Sequence, residues 1–220
     1  MKPGFFITFE GIEGCGKTTQ LKLAAKWLEE QGLTVCCTRE PGGTELGMHI
    51  RRLLLSEKSS GLTPLSEALL YMADRFHHIT EVIRPALEAG QIVLCDRYHD
   101  STIAYQGYAR KISLDFLDSI WKNSGSVLEP HLTLLLDLEP KTGLERSLQK
   151  LAAQQIDESR FEKEALEFHT RVRGGFLTLA RENQNRIRVI DASRAIDVVH
   201  ANVVDAINTF FNRSSQSTQR

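Results

Sequence analysis

Several absences narrow the class of this chain before any motif is read. No long apolar run is present: the stretch Phe5 to Phe9 is far too short to span a membrane, is broken by Glu10 and lacks a small-residue cleavage site. Neither an anchor nor a secretory leader is expected. An excess of one charge is missing too, with 27 Lys plus Arg against 28 Asp plus Glu, so no global field favours nucleic acid or a membrane surface. Cysteine is scarce: Cys15, Cys36, Cys37 and Cys95 form no CxxC pair and show no metal-ligand spacing. They read as small core hydrophobes in a reducing cytoplasm rather than as a disulfide framework. The histidines, apart from adjacent His77 and His78, are scattered and read as bland surface or core residues. Repeats and linkers are absent, which leaves a single domain over residues 1–212 and a short polar tail, 213–220, expected to be disordered.

Against these absences stand five short apolar runs, Phe5 to Phe9, Thr34 to Thr38, Ile92 to Cys95, Leu132 to Leu136 and Ile187 to Ile190. None alternates with polar residues, which predicts strands buried on both faces. Between the first two, Leu21, Ala24, Ala25 and Leu28 follow helical spacing and Gly32 supplies a stop. Further helices are predicted from Thr63 and Pro64 to Gly90, after a Ser113 cap, from Pro140, and over roughly 162–182 and 195–211. Strand, helix, strand means a parallel sheet, so the fold class is α/β: five parallel strands with helices on both faces.

Gly11, Gly16, Lys17 and Thr18 stand at the spacing GxxxxGK[ST], between a predicted strand and a predicted helix. Glycines at this spacing let the backbone curl so that successive amides of Gly11, Ile12, Glu13, Gly14, Cys15, Gly16, Lys17, Thr18 and Thr19 point at phosphate oxygens, aided by the helix N-terminus. Lys17 is expected to reach the β- and γ-phosphates and Thr18 to ligate Mg²⁺. The motif implies a nucleoside triphosphate, ATP or a relative. It leaves the acceptor open.

Ile92 to Cys95 delivers Asp96 and Arg97 to a strand's carboxyl end, where open α/β sheets bind ligands. A carboxylate there suits a metal's water shell and a guanidinium a phosphate; taken alone, the two fit a structural ion pair equally well. The surrounding run, Asp96 to Gly107 (DRYHDSTIAYQG), resembles the fingerprint of the thymidylate kinase family. Other landmarks of that family follow in order: FEGIEGCGKTT at 9–19, TREPGGT at 38–44, IRRLLL at 50–55, LLYMADR at 69–75, PHLTLLLD at 130–137 and IDAS at 190–193. The resemblance covers about residues 4–210.

It implies a dTMP kinase that moves the γ-phosphoryl of ATP to dTMP with Mg²⁺ held by Thr18 and, partly through water, Asp96. Tyr71, which read alone would sit in the core, is implied to stack on thymine, with Arg75 four residues on bonding a base carbonyl. Thr102 and Gln106 match base contacts, Ser101 lines the same loop and Pro41 shapes the wall. Tyr105 matches a ring that would exclude a ribose 2′-hydroxyl. Arg51 and Arg97 match acceptor contacts, Arg97 gripping the monophosphate. Glu13 matches an acid near the deoxyribose 3′-hydroxyl, whereas Glu10 and Arg39 suit support of neighbouring backbone. A homodimer is also implied.

The family divides by where it carries the arginine that neutralises the transferring phosphoryl. Gly14 occupies the loop position where one type has arginine, so the charge is expected from a lid at about 150–164, with Arg160 as the candidate and Lys150, Arg146 and Arg171 as substitutes. Ser159 stands where the usual lid motif has Asp. Catalysis would rest on Lys17, Arg97, Arg160, Asp96 and Glu13, by positioning and charge neutralisation. The rivals are another nucleoside monophosphate or deoxynucleoside kinase, and a nucleotide-binding module without transfer. A GTPase is disfavoured because the NKxD motif is missing.

Overall fold

The computed structural model describes residues 4–59, 61–154 and 159–217. Residues 155–158, part of the expected lid, and 218–220 of the expected tail lie outside the described residues. In chain order the elements are β1 (Phe5–Glu10), α1 (Lys17–Glu30), β2 (Val35–Arg39), α2 (Glu45–Leu55), α3 (Pro64–His78), α4 (Arg84–Glu88), β3 (Ile92–Asp96), α5 (His99–Thr102), α6 (Leu114–Asn123), β4 (Leu132–Asp137), α7 (Pro140–Gln154), α8 (Leu166–Glu182), β5 (Ile187–Asp191) and α9 (Ile196–Ser217).

The strands form one five-stranded sheet, ordered β2-β3-β1-β4-β5, with every neighbouring pair parallel. Register places Phe9 opposite Asp96 on one side of β1 and Glu10 opposite Leu135 on the other. Since β1 runs between strands reached by crossovers in opposite directions, the loop leaving it opens into the sheet's switch point, where ligands bind. Ile7 and Phe9 pack with Leu21, Ala24 and Val203 on one face; Phe6, Val93 and Cys95 pack with Ile79, Ile83 and Trp121 on the other. At about 25 cal/mol per Å² of apolar surface removed from water, these two cores hold the helices to both faces.

Burial on both faces holds for β1, β3 and β4, while β2 and β5 are edge strands with partly exposed residues. Cys15 and Cys95 are buried as expected, but Cys37 is exposed and Cys36 half-buried because they lie on edge strand β2; all four are free. The single helix expected from Thr63 to Gly90 is capped by the Thr63 hydroxyl, which accepts from the Ser66 amide, and is interrupted by a π-helical turn, Ile79–Ile83, ahead of Pro85. Pro85 has no amide to donate to an i−4 carbonyl, and the wider turn absorbs that loss. A second π-helical segment, Ile103–Ala109, follows α5 and carries Tyr105 and Gln106. Helix α9 continues to Ser217, so residues 213–217 are helical where an unstructured tail was expected.

Candidate active site

The phosphate loop leaves β1 at Glu10 and enters α1 at Lys17. Gly14, at φ 68°, needs glycine twice over: the conformation is left-handed, and a Cβ there would strike the backbone of Gly143 at the start of α7. In this structure any side chain at this position, arginine included, would meet that backbone. Gly16 caps α1 at φ 96°. The Lys17 ammonium folds over the loop, donating to the carbonyls of Gly11 (3.1 Å) and Ile12 (2.8 Å). Thr18 donates to Asp96 Oδ2 at 2.5 Å, which joins the loop's exit to the end of β3.

Arg97 takes the left-handed conformation, φ 69°, uncommon for a residue with a side chain and shared here only with Lys111 among the described non-glycine residues. Its guanidinium donates to the Gly11 carbonyl (2.9 Å), Ser101 Oγ (3.2 Å) and Glu13 Oε1 (2.9 Å), and lies 5.0 Å from the centre of the Tyr105 ring. The Tyr105 hydroxyl donates to the same Glu13 oxygen at 2.5 Å. Burial opposes ionisation of Glu13, but Arg97, His169 and Lys17 outweigh it and hold the carboxyl well below the usual range. His169 lies on α8, with Nδ1 3.3 Å from Glu13 Oε2 and Nε2 3.0 Å from the Phe161 carbonyl. Glu10 supports backbone, accepting from the Tyr98 amide (2.8 Å) and the Ser101 hydroxyl (2.6 Å). Burial and nearby Asp100 push its carboxyl up to about 8.

On the opposite wall Arg75 is fully enclosed: it donates to Glu40 (2.8 Å), Thr102 (2.8 Å) and the Tyr98 carbonyl (3.0 Å), keeping spare N–H groups beside the cavity. The peptide Glu40–Pro41 is cis, and Arg51 donates to the Pro41 carbonyl at 3.2 Å. Tyr71 stands four residues before Arg75, its hydroxyl kept protonated by burial and by Glu67. Gln106 donates to Glu67 at 2.8 Å. Glu67, not foreseen from sequence, also pairs with Arg110 (3.2 Å) and with Arg160.

One cavity of about 330 Å³ gathers Glu13, Lys17, Thr18, Pro41, Arg51, Tyr71, Arg75, Asp96, Arg97, Ser101, Thr102, Tyr105 and Gln106, whereas Gly11, Ile12, Gly14, Cys15, Gly16 and Thr19 of the phosphate loop are not among its lining residues. Arg160 is not among its lining residues. The α3 carboxylate of Glu67 and the Leu54 carbonyl hold it in a buried pair instead. Arg146 donates to the Ala192 carbonyl and Arg171 to the Ala109 carbonyl, each at 3.4 Å. Of the four basic residues named as lid candidates, Lys150 alone lines the cavity. A glycine-rich loop, a hydroxyl–carboxylate pair, several arginines and tyrosines line or border one cleft, a set of groups suited to phosphoryl transfer between two nucleotides.

The chain matches the thymidylate kinase family model over residues 9–203. It is 48% identical over 210 residues to a thymidylate kinase of Desulfovibrio desulfuricans, covering 94% of this chain and 97% of that one. It is 46% identical over 205 residues to one of Geobacter sulfurreducens, covering 93% and 96%. The crystal structure of thymidylate kinase from Ehrlichia chaffeensis superposes with a TM-score of 0.74 at 38% identity, covering 94% of this chain and 99% of that one. With matches of this extent falling on the elements that build the cleft, the chain belongs to the thymidylate kinase family.

Proposed function

We propose that the protein transfers the γ-phosphoryl of ATP to dTMP, giving dTDP and ADP. The observation that carries this is the single cleft in which a triphosphate loop faces Arg97, Tyr105, Tyr71 and Arg75. The acceptor oxygen is anionic near neutral pH and needs no strong base, so the residues act by placing charge. Lys17 and the loop amides hold the triphosphate, Arg97 grips the acceptor phosphate, and Tyr71 stacks on the base while Arg75, Thr102 and Gln106 read its edge. Glu13 orients Arg97 and Tyr105 and faces the deoxyribose.

Thr18 and Asp96 suit Mg²⁺, a hard cation that takes oxygen ligands, because a hydroxyl oxygen and a carboxylate oxygen are brought together here at 2.5 Å. Bound there, Mg²⁺ would neutralise phosphate charge. Arg160 is proposed to cover the transferring phosphoryl after leaving Glu67; Lys150, already in the cavity wall, is the competing source. Arg160→Ala and Lys150→Ala distinguish them, since the variant losing roughly 10³-fold or more in kcat removes the charge that matters.

Exposed Leu46 and Leu53 on α2, with Leu65 and Leu69 on the adjoining α3, support a homodimer through that face, testable by sedimentation. Free cysteines support a reducing, cytoplasmic setting. Among the described residues no helix is long and apolar enough to cross a membrane. The deciding experiment couples ADP release to a readout across a panel of nucleoside monophosphates with ATP and Mg²⁺. Turnover of another monophosphate with none of dTMP would overturn the substrate assignment.

A further inference from the structure

Among the groups around Glu13, one buried titratable side chain takes no direct part in the transfer described above. His169, 1% exposed on α8, lies between the base of the lid and the phosphate loop. Its Nε2 is 3.0 Å from the carbonyl oxygen of Phe161, the residue after Arg160, and its Nδ1 is 3.3 Å from Glu13 Oε2. A carbonyl oxygen has no proton to give, so Nε2 must donate. Glu13 is a carboxylate and has none either.

Nδ1 therefore decides whether this contact attracts or repels. Nδ1 and Oε2 are both buried and make no aligned hydrogen bond, yet they face each other within ion-pair reach. With a lone pair on Nδ1, two buried acceptors would oppose each other, each left unsatisfied. With a proton there, the contact becomes a charged pair. Glu13's other oxygen is already taken by donors from Arg97 and Tyr105, so rotation of this carboxylate would shift both of those side chains. Phe168 meets the His169 ring edge-on at 5.5 Å, and Arg110 lies on Phe168, 4.5 Å from its ring centre.

We propose that His169 is a positioning residue for phosphoryl transfer, an imidazolium that ties the base of the lid at Phe161 to the Glu13 carboxylate and thereby sets Arg97 and Tyr105 against the acceptor. Its kinetic consequence rests on the dTMP kinase reading; its protonation does not.

The experiment has two arms on the full chain. In the first, ¹⁵N-edited NMR of histidine-labelled unmodified protein near neutral pH should show a proton on each ring nitrogen of His169, and a lone pair on Nδ1 would overturn the proposal. In the second, His169→Leu removes both contacts and His169→Asn keeps a donor on the Glu13 side. Loss of Glu13's orientation should lower kcat about 10- to 100-fold in His169→Leu, with KM for both nucleotides nearly unchanged, and His169→Asn should recover most of the rate. A near-parental kcat in His169→Leu, or equal loss in both variants, would overturn it. Failure of unmodified protein to turn over dTMP would instead count against the kinase reading, and the NMR arm stands even if a variant fails to fold.

Discussion

Gly143→Ala should damage catalysis far more than stability. Gly143 lies in the first turn of α7, and a Cβ there would sit 2.5 Å from the Glu13 carbonyl oxygen and 2.9 Å from Ile12 Cδ1. The Ile12 methyl can turn aside, but the carbonyl belongs to the phosphate loop. Ordinary contact begins at 3.4 Å, so loop and helix must part by about 0.9 Å. A misplacement of that order costs on the order of 10²-fold in rate. Stability carries two opposing terms: overpacking costs roughly 1–3 kcal/mol, and replacing a helical glycine by alanine returns about 1 kcal/mol. The net loss should be between about 0 and 2 kcal/mol. Gly174→Ala on α8, where an added Cβ meets nothing within 4 Å, is the control and should stabilise by roughly 0.5–1 kcal/mol without slowing turnover. Urea unfolding gives the stabilities and the ADP-release assay the rates. If Gly143→Ala turned over dTMP as fast as the parent, the backbone contact between α7 and the loop would place no constraint on catalysis.

Three further predictions concern residues in the cleft or packed beside it. Thr18→Ala should raise the Mg²⁺ concentration for half-maximal turnover by about 10-fold or more, and an unchanged Mg²⁺ titration would remove Thr18 from the metal's ligands. Glu67→Gln leaves buried Arg160 and half-buried Arg110 without their shared carboxylate and should cost about 3–5 kcal/mol in chemical unfolding, while a loss below about 1 kcal/mol would show that the pair contributes little to lid anchorage. Asp74 is buried beside Glu40, and its carboxyl is raised from 3.8 to about 6, chiefly by burial, so the folded state holds more protons than the unfolded state between those values. This group's contribution therefore falls as pH rises from about 4 to 6, and Asp74→Asn, which removes the charge, should gain on the parent over that window by on the order of 3 kcal/mol. Parallel stability curves for the two proteins would contradict this.

Features set by neighbouring residues were legible before the structure was known. β1, β3 and β4 are buried on both faces and read as unbroken apolar runs, and the phosphate loop is contiguous. The π-helical segment Ile103–Ala109 has no sequence signature, because a wider turn uses the same residue types as an α-helix. Helix α2 did carry a signal that went unread: the Thr44 hydroxyl caps it, accepting from the Gly47 amide at 2.9 Å. Glu67 was also within reach, since Glu67, Tyr71 and Arg75 stand at i, i+4 and i+8 on one face of α3. The position of Arg160 was not, because its partner lies 93 residues away.

Two residues to which sequence reading gave no role, Gly143 and His169, converge on the phosphate loop. Gly143 presses on the backbone of Glu13 and Gly14, and His169 faces the Glu13 carboxylate. Their helices, α7 and α8, flank the segment expected to form the lid. Glycine inside α7 and histidine on the buried stripe with Val172 and Phe176 are each ordinary alone; only the fold shows that both meet the same loop. Any displacement of the lid that shifts α7 or the start of α8 must therefore move the Glu13–Gly14 segment or open these contacts. On this geometry α7 and α8 both press on the Glu13–Gly14 segment, so substitutions at Gly143 and His169 should act on kcat with KM for either nucleotide little changed, whereas changes at Tyr71 or Arg75 should raise KM for the acceptor alone.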